Sequence, residues 1–136
     1  MKRKCSIGIL ACLLFVAACN TESVSGPTVP PNQQFTLAPG QSISIRGTTL
    51  RLEFLRVSGD SRCPADAICV QAGDAIVHVR ITDRTATEYQ LHTSDPARAV
   101  VMHRNFRIEL LQLQPYPLGG RTIEPGDYRA TLTVSW

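Results

Sequence analysis

Tyr128-Arg129-Ala130-Thr131-Leu132-Thr133-Val134-Ser135-Trp136 alternates apolar and polar side chains without a break. Successive side chains of a strand point to opposite faces, so a period of two describes a β-strand with one face buried. No helical spacing collects Tyr128, Ala130, Leu132, Val134 and Trp136 on a single stripe.

Upstream, the same period recurs. Phe106, Ile108 and Leu110 alternate with Arg107 and Glu109, and a short apolar run, Val100-Val101-Met102, precedes them. Tyr89 and Leu91 alternate with polar neighbours from Glu88 to Thr93, after a turn at Asp83-Arg84. Ala75, Val77, Val79 and Ile81 share one face, opposite Ile76, His78 and Arg80. Ser42-Ile43-Ser44-Ile45-Arg46 follows a Pro39-Gly40 turn. Leu50, Leu52 and Phe54 hold one parity, whereas Leu55 and Val57 hold the other, a switch that predicts a bulge or a change of sheet. Pro115-Tyr116-Pro117-Leu118-Gly119-Gly120 lacks the amide donors of a central strand and is expected as a long connection. Short strands, Gly/Pro turns and no sustained helical period predict an all-β fold, an antiparallel β-sandwich that is immunoglobulin-like in broad architecture. A closed barrel is the competing arrangement. Glu124-Pro125-Gly126-Asp127-Tyr128 resembles a tyrosine corner, in which a Tyr at the start of a strand bonds back to upstream backbone.

Between two of these strand runs lies Asp60-Ser61-Arg62-Cys63-Pro64-Ala65-Asp66-Ala67-Ile68-Cys69-Val70-Gln71-Ala72-Gly73. Pro64 fixes φ where a first helical turn would begin and Asp66 is placed to favour that turn's amides, so the stretch predicts a short helical turn closed by a Cys63–Cys69 disulfide.

The N-terminus sets the compartment. Lys2-Arg3-Lys4 and the apolar run from Ile7 to Ala18 form the charged and hydrophobic regions of an export signal, too short to span a bilayer. Val16-Ala17-Ala18-Cys19 resembles the lipobox of bacterial lipoproteins, which implies lipidation (palmitate) at Cys19 and attachment to the cell-envelope membrane, facing the periplasm or the exterior. The expected organisation is a signal peptide over 1–18, a flexible tether over 19–34 rich in Ser, Thr, Pro and Asn, and a β-sandwich domain over 35–136. Removing residues 1–18 of 136 leaves 118, enough for one core and not for two, and a monomer is expected. Cys5 and Cys12 leave with the signal and Cys19 carries lipid, so Cys63 and Cys69 remain as a pair in an oxidising compartment. Zinc held by these two cysteines would need further ligands at short spacing, and none follows.

Charge excludes some partners. The formal charge of +3 falls to zero once Lys2, Arg3 and Lys4 are removed, leaving eleven arginines against eleven acids. Arginines spread along a neutral chain make no basic stripe for nucleic acid or broad membrane adhesion. Attachment therefore rests on the lipid, and the expected partners are the membrane and an unidentified envelope protein.

Candidate sites are few. His78, His92 and His103 are the only histidines. His78 and His92 fall on the polar sides of their strands, where solvated residues are the default and a cross-strand copper or zinc pair is the alternative. Asp60, Asp66 and Asp74 gather around the cysteine loop without the spacing of a compact calcium loop, and turn or capping roles explain them. Gly59-Asp60-Ser61 superficially resembles a serine-hydrolase nucleophile segment, but no strand–elbow–helix context surrounds Ser61. No cofactor is expected and no catalytic residue is assigned.

Asp60-Ser61-Arg62-Cys63-Pro64, then Cys69, then Ala72-Gly73, resembles the signature of a group of uncharacterised bacterial lipoproteins. The likeness extends from about Phe35 onward and includes Pro115-Tyr116-Pro117 and Asp127-Tyr128-Arg129. It implies a small exported β-domain and no particular activity. Gln71 stands here where the group usually has Trp. The expected function is a lipid-anchored, non-catalytic binding module, with Arg62, Gln71, Tyr116 and Arg121 as partner contacts. The alternatives are a proteinase inhibitor acting through rigid loops and a periplasmic metal-binding protein.

Overall fold

Alternation along the chain becomes two packed sheets in the computed structural model, which describes residues 26–136. The expected export signal over 1–18, Cys19 and the first part of the expected tether lie outside the described residues. The strands are β1 (Thr28–Val29), β2 (Gln34–Leu37), β3 (Ser42–Ile45), β4 (Arg51–Ser58), β5 (Ile76–Thr82), β6 (Ala86–His92), β7 (Val100–His103), β8 (Phe106–Gln114) and β9 (Arg129–Ser135). One sheet has the order β1-β3-β4-β5-β6 and the other β2-β9-β8-β7. All pairings are antiparallel except β1 with β3.

The sandwich is as expected, but the strand order is its own. Immunoglobulin domains carry strands A, B, E and D in one sheet and C, F and G in the other. Here β3 to β6 run as one unbroken meander and β7 to β9 as another, with β2 closing the second sheet.

The inward faces supply the core. Phe54, Ile45, Leu50, Leu52, Ile81, Leu91, Ile108 and Leu132 are fully buried, together with Val77, Val79 and Val134. Each large side chain taken from water contributes about 1.5–3 kcal/mol, so these faces supply the main drive to fold. The parity switch after Phe54 is a β-bulge: β4 shifts register against β5 between Phe54 and Arg56. A second bulge lies in β8 between Leu110 and Gln112, and there Leu111 turns outward, 41% exposed.

Two boundaries differ from expectation. The domain begins before Phe35, because β1 pairs with β3 inside the expected tether, with Ser44 N donating to Pro27 O and Arg46 N to Val29 O. Backbone pairing asks for no large apolar side chains, so the Pro- and Thr-rich composition concealed this strand. The cysteine loop holds a hydrogen-bonded turn, Ala67 N to Pro64 O, and no helical turn. Ala65 N and Asp66 Oδ1 bond across to a second loop, and the one helical segment among the described residues is the 3-10 turn Pro125–Asp127.

Candidate functional site

The β4–β5 connection continues as a ladder beyond its sheet. Ser61 N donates to Asp74 O at 2.7 Å and Cys63 N to Ala72 O at 2.8 Å. Gly73 makes this closeness feasible: its φ is +69°, and a Cβ there would lie 1.7 Å from Ser61 O. Beyond the ladder, a Cys63–Cys69 disulfide closes the loop, with Cα atoms 5.9 Å apart.

Arg62 points inward from this stem. Its Nε and Nη2 donate to the two carboxylate oxygens of Asp60 at 2.8 and 2.7 Å, a bidentate pair. Nη1 donates to Leu113 O at 2.8 Å and Nη2 to Pro115 O at 3.0 Å, so the guanidinium also ties the loop to the end of β8. The Tyr116 ring lies against it, with its centroid 5.2 Å from Cζ. Tyr128, at the start of β9, donates its hydroxyl to Asp60 Oδ2 at 2.9 Å. Tyr128 thus serves a corner role through a carboxylate, and not through the upstream backbone expected of a tyrosine corner. Burial works to raise the Asp60 carboxyl, but the hydrogen bonds from Arg62 and Tyr128 outweigh it and hold the group below the usual carboxylate range. Burial, together with the Asp60 carboxylate, pushes the Tyr128 hydroxyl up to about 12.

Two segments expected separately as partner surfaces are therefore one body. Ala65 N donates to Pro117 O at 2.9 Å and Gly119 N to Asp66 Oδ1 at 2.7 Å, stitching the cysteine loop to the Pro115–Gly120 connection. Beside the joined loops runs a cleft of about 260 Å³ between the loop stem, the β6–β7 corner and the second half of β8. Leu111 and Tyr116 give it apolar wall, whereas Gln112, Gln114, Thr93 and Ser94 give it hydrogen-bonding groups. At the far tip of the loop, Ile68 and Val70 are fully exposed.

The histidines are buried, each beside a carboxylate, which corrects the expectation of solvated strand residues. His78 meets Ser58 Oγ at 2.7 Å and Glu88 Oε1 at 3.0 Å. His92 meets Asp74 Oδ2 at 2.6 Å and Arg98 Nη2 at 2.6 Å. His103 meets the Tyr89 hydroxyl at 2.9 Å and Asp83 Oδ2 at 3.2 Å. The carboxylates respond: the His78 hydrogen bond, followed by the charge of Arg56, lowers Glu88. The amides of Thr85 and Arg84, aided by His103, lower Asp83 to about 2. Burial opposes the change at Asp74, but the His92 and Ser94 hydrogen bonds carry it well below the ordinary range. His78 and His92 are not cross-strand partners, since His78 lies opposite Gln90 and His92 opposite Ile76. Among the described residues no three His, Cys, Asp or Glu side chains gather as a metal site.

Of the four expected contact residues, Gln71, Tyr116 and Arg121 are exposed. Arg62 is not: it is 6% exposed, and its guanidinium is taken up within the fold. Ser61 Oγ is engaged with the backbone of Asp74, accepting from its amide and donating to its carbonyl, each at 3.1 Å. Asp60, Asp66 and Asp74 each hold a different structural bond and do not converge on one ion. Sequence reasoning missed the contribution of β8 to the cleft, because the bulge at Leu111 repeats an apolar residue within a run that reads simply as strand. Compared with known proteins, the chain matches no family model, no curated protein and no solved structure.

Proposed function

We propose that this protein is a lipid-anchored, non-catalytic binding module of the bacterial cell envelope, with the cleft between the joined loops and β8 as its binding site. The carrying observation is the lock formed by Arg62, which fixes the cleft's walls to one another before any partner arrives. A preformed site loses little conformational entropy on binding, and its mixed lining resembles pockets in which apolar surface gives affinity and a few polar groups fix orientation. The charged and nucleophilic side chains around it are held in structural bonds, which favours binding over catalysis. The anchor rests on the lipobox-like sequence ending at Cys19.

The test is crosslinking in intact cells, comparing the native protein with Leu111→Asn/Tyr116→Ala, both changes at exposed positions. The expected result is a partner captured by the native chain and lost from the variant at equal abundance. Equal capture by both would remove the cleft as the site. Turnover of a small substrate by the purified protein, abolished by one point change, would end the non-catalytic reading.

A further inference from the structure

We propose that the loop tip Ile68-Cys69-Val70 is a membrane-contact element, which dips into the headgroup–acyl boundary of the bilayer that carries the lipid. The inference rests on the anchor at Cys19 in the reading above and is independent of the cleft.

Strand register points the start of the described chain toward the end of the sandwich that carries the tip. β1 runs parallel to β3, with Thr28 beside Ser44, and Gly26 approaches Ser42, which pairs with Glu53 of β4. β4 runs from there toward Ser58 and into the cysteine loop, so the described chain starts with its N-terminal direction facing the end that carries Ile68 and Val70. Trp136 lies at the other end, edge-on to Phe106, where β8 begins.

Chain length then sets the distance to the membrane. Seven Cα steps separate Cys19 from Gly26 in the sequence, about 24 Å when fully extended. From the level of Glu53 to Ser58 the strand already rises about 17 Å, and the cysteine loop extends beyond it. Fully extended, the tether exceeds that rise by only about 7 Å. Once Cys19 is held at the bilayer, a tether this short keeps that end near the surface.

The tip has the chemistry for this position. Ala67 to Gly73 contains no charged residue, and the two branched apolar side chains flank a cysteine fixed by its disulfide. Asp66, the nearest acid, is turned to the Gly119 amide. Leu118, 40% exposed, stands between Pro117 and Gly119, which bond to Ala65 and Asp66 just before the tip. A protein-binding hot spot would favour Trp, Tyr or Arg within a polar rim, whereas small apolar groups on a rigid, uncharged tip suit shallow insertion beside an existing anchor.

The test uses the mature lipidated chain in vesicles of phosphatidylethanolamine and phosphatidylglycerol with brominated acyl chains. Trp136 is the single tryptophan of the native chain, so native protein reports the far end and Ile68→Trp/Trp136→Phe reports the tip. Val70→Trp/Trp136→Phe serves as a second reporter should the first variant fail to fold. The expected result is co-flotation of all forms, with quenched, blue-shifted emission from the tip and unquenched emission from Trp136. Co-flotation with an unquenched tip, or equal quenching at both ends, overturns the membrane contact and leaves the anchor standing. Native protein that does not float removes the anchor, and the inference with it. Peptidase inhibition lost in Ile68→Asp, alongside an unquenched tip, assigns the tip to a protein cleft and overturns the proposal.

Discussion

Arg62→Met replaces a buried guanidinium with an apolar side chain of similar length and isolates one interaction. The native pair is bidentate, with side chains 4% and 12% exposed, and the same guanidinium caps two backbone carbonyls. Its removal leaves the Asp60 carboxylate with Tyr128 as its remaining side-chain donor and strips a donor from Leu113 O and Pro115 O. Breaking one side of a buried ion pair costs about 3–5 kcal/mol. Against a total stability of about 5–15 kcal/mol, that is a large fraction, and for a domain of this size it lowers Tm by about 15 °C. The measurement is urea unfolding at pH 7 followed by circular dichroism, with limited proteolysis of the cysteine loop in parallel. Arg62→Met/Asp60→Asn should recover part of the loss, because a neutral amide beside Tyr128 has no unpaired charge to bury. A single variant within about 1 kcal/mol of native, a typical loss for an ordinary substitution, would refute the claim that this pair locks the loops. So would a double variant as unstable as the single one.

Gly73→Ala should destabilise by at least about 2 kcal/mol, because φ there is +69° and the added methyl meets Ser61 O; calorimetry checks it, and a native Tm refutes it. Removing the disulfide with Cys63→Ala/Cys69→Ala should cost about 2 kcal/mol in the chain-entropy model without unfolding the domain, while native protein from the periplasm should show no free thiol by mass spectrometry. Asp74 has a folded-state pKa below its unfolded value, so the stability it adds is fully present above the unfolded carboxylate range and is lost as pH falls through the folded value. Native protein should therefore lose stability below about pH 4 more steeply than Asp74→Asn, as read by urea midpoints across pH. Cys19→Ala should abolish labelling by fatty acid in cells and release the protein from the membrane fraction, and unchanged labelling would exclude Cys19 as the acylated residue.

The strands were legible because each buries one face, and burying one face writes a period of two into the sequence. Even the bulge in β4 left its mark, as the parity change from Phe54 to Leu55. β1 left none, since its contribution is backbone hydrogen bonding at a sheet edge. The histidines were misread for a related reason. Polar position on a strand implies solvent only where nothing covers that face, and Glu88, Asp74 and Asp83 come from neighbouring strands or turns to satisfy the buried rings. Such pairings depend on three-dimensional neighbours that periodicity does not encode. Its place in the cysteine loop makes Arg62 read as a contact residue, yet which way that loop leans depends on carbonyls more than fifty residues away, at Leu113 and Pro115.

That lean changes what the residues of the cysteine loop imply. Asp60, Arg62, Cys63, Cys69, Gly73 and Tyr128 all build the loop: an ion pair, a disulfide, a backbone crossing that tolerates no Cβ, and a hydroxyl that secures the pair. Residues bound so completely into the scaffold are poor candidates for recognising a partner, because using them would require breaking the lock. Recognition then falls to side chains that the lock displays and does not consume. Tyr116 qualifies through its exposed face and Leu111 through the β8 bulge. Exchanging Gln71, an exposed residue next to Val70, for Trp should leave the lock intact while enlarging the apolar surface beside the tip. On this physical division, the locked residues hold the surface, and the exposed residues between them are the ones free to vary without loosening it.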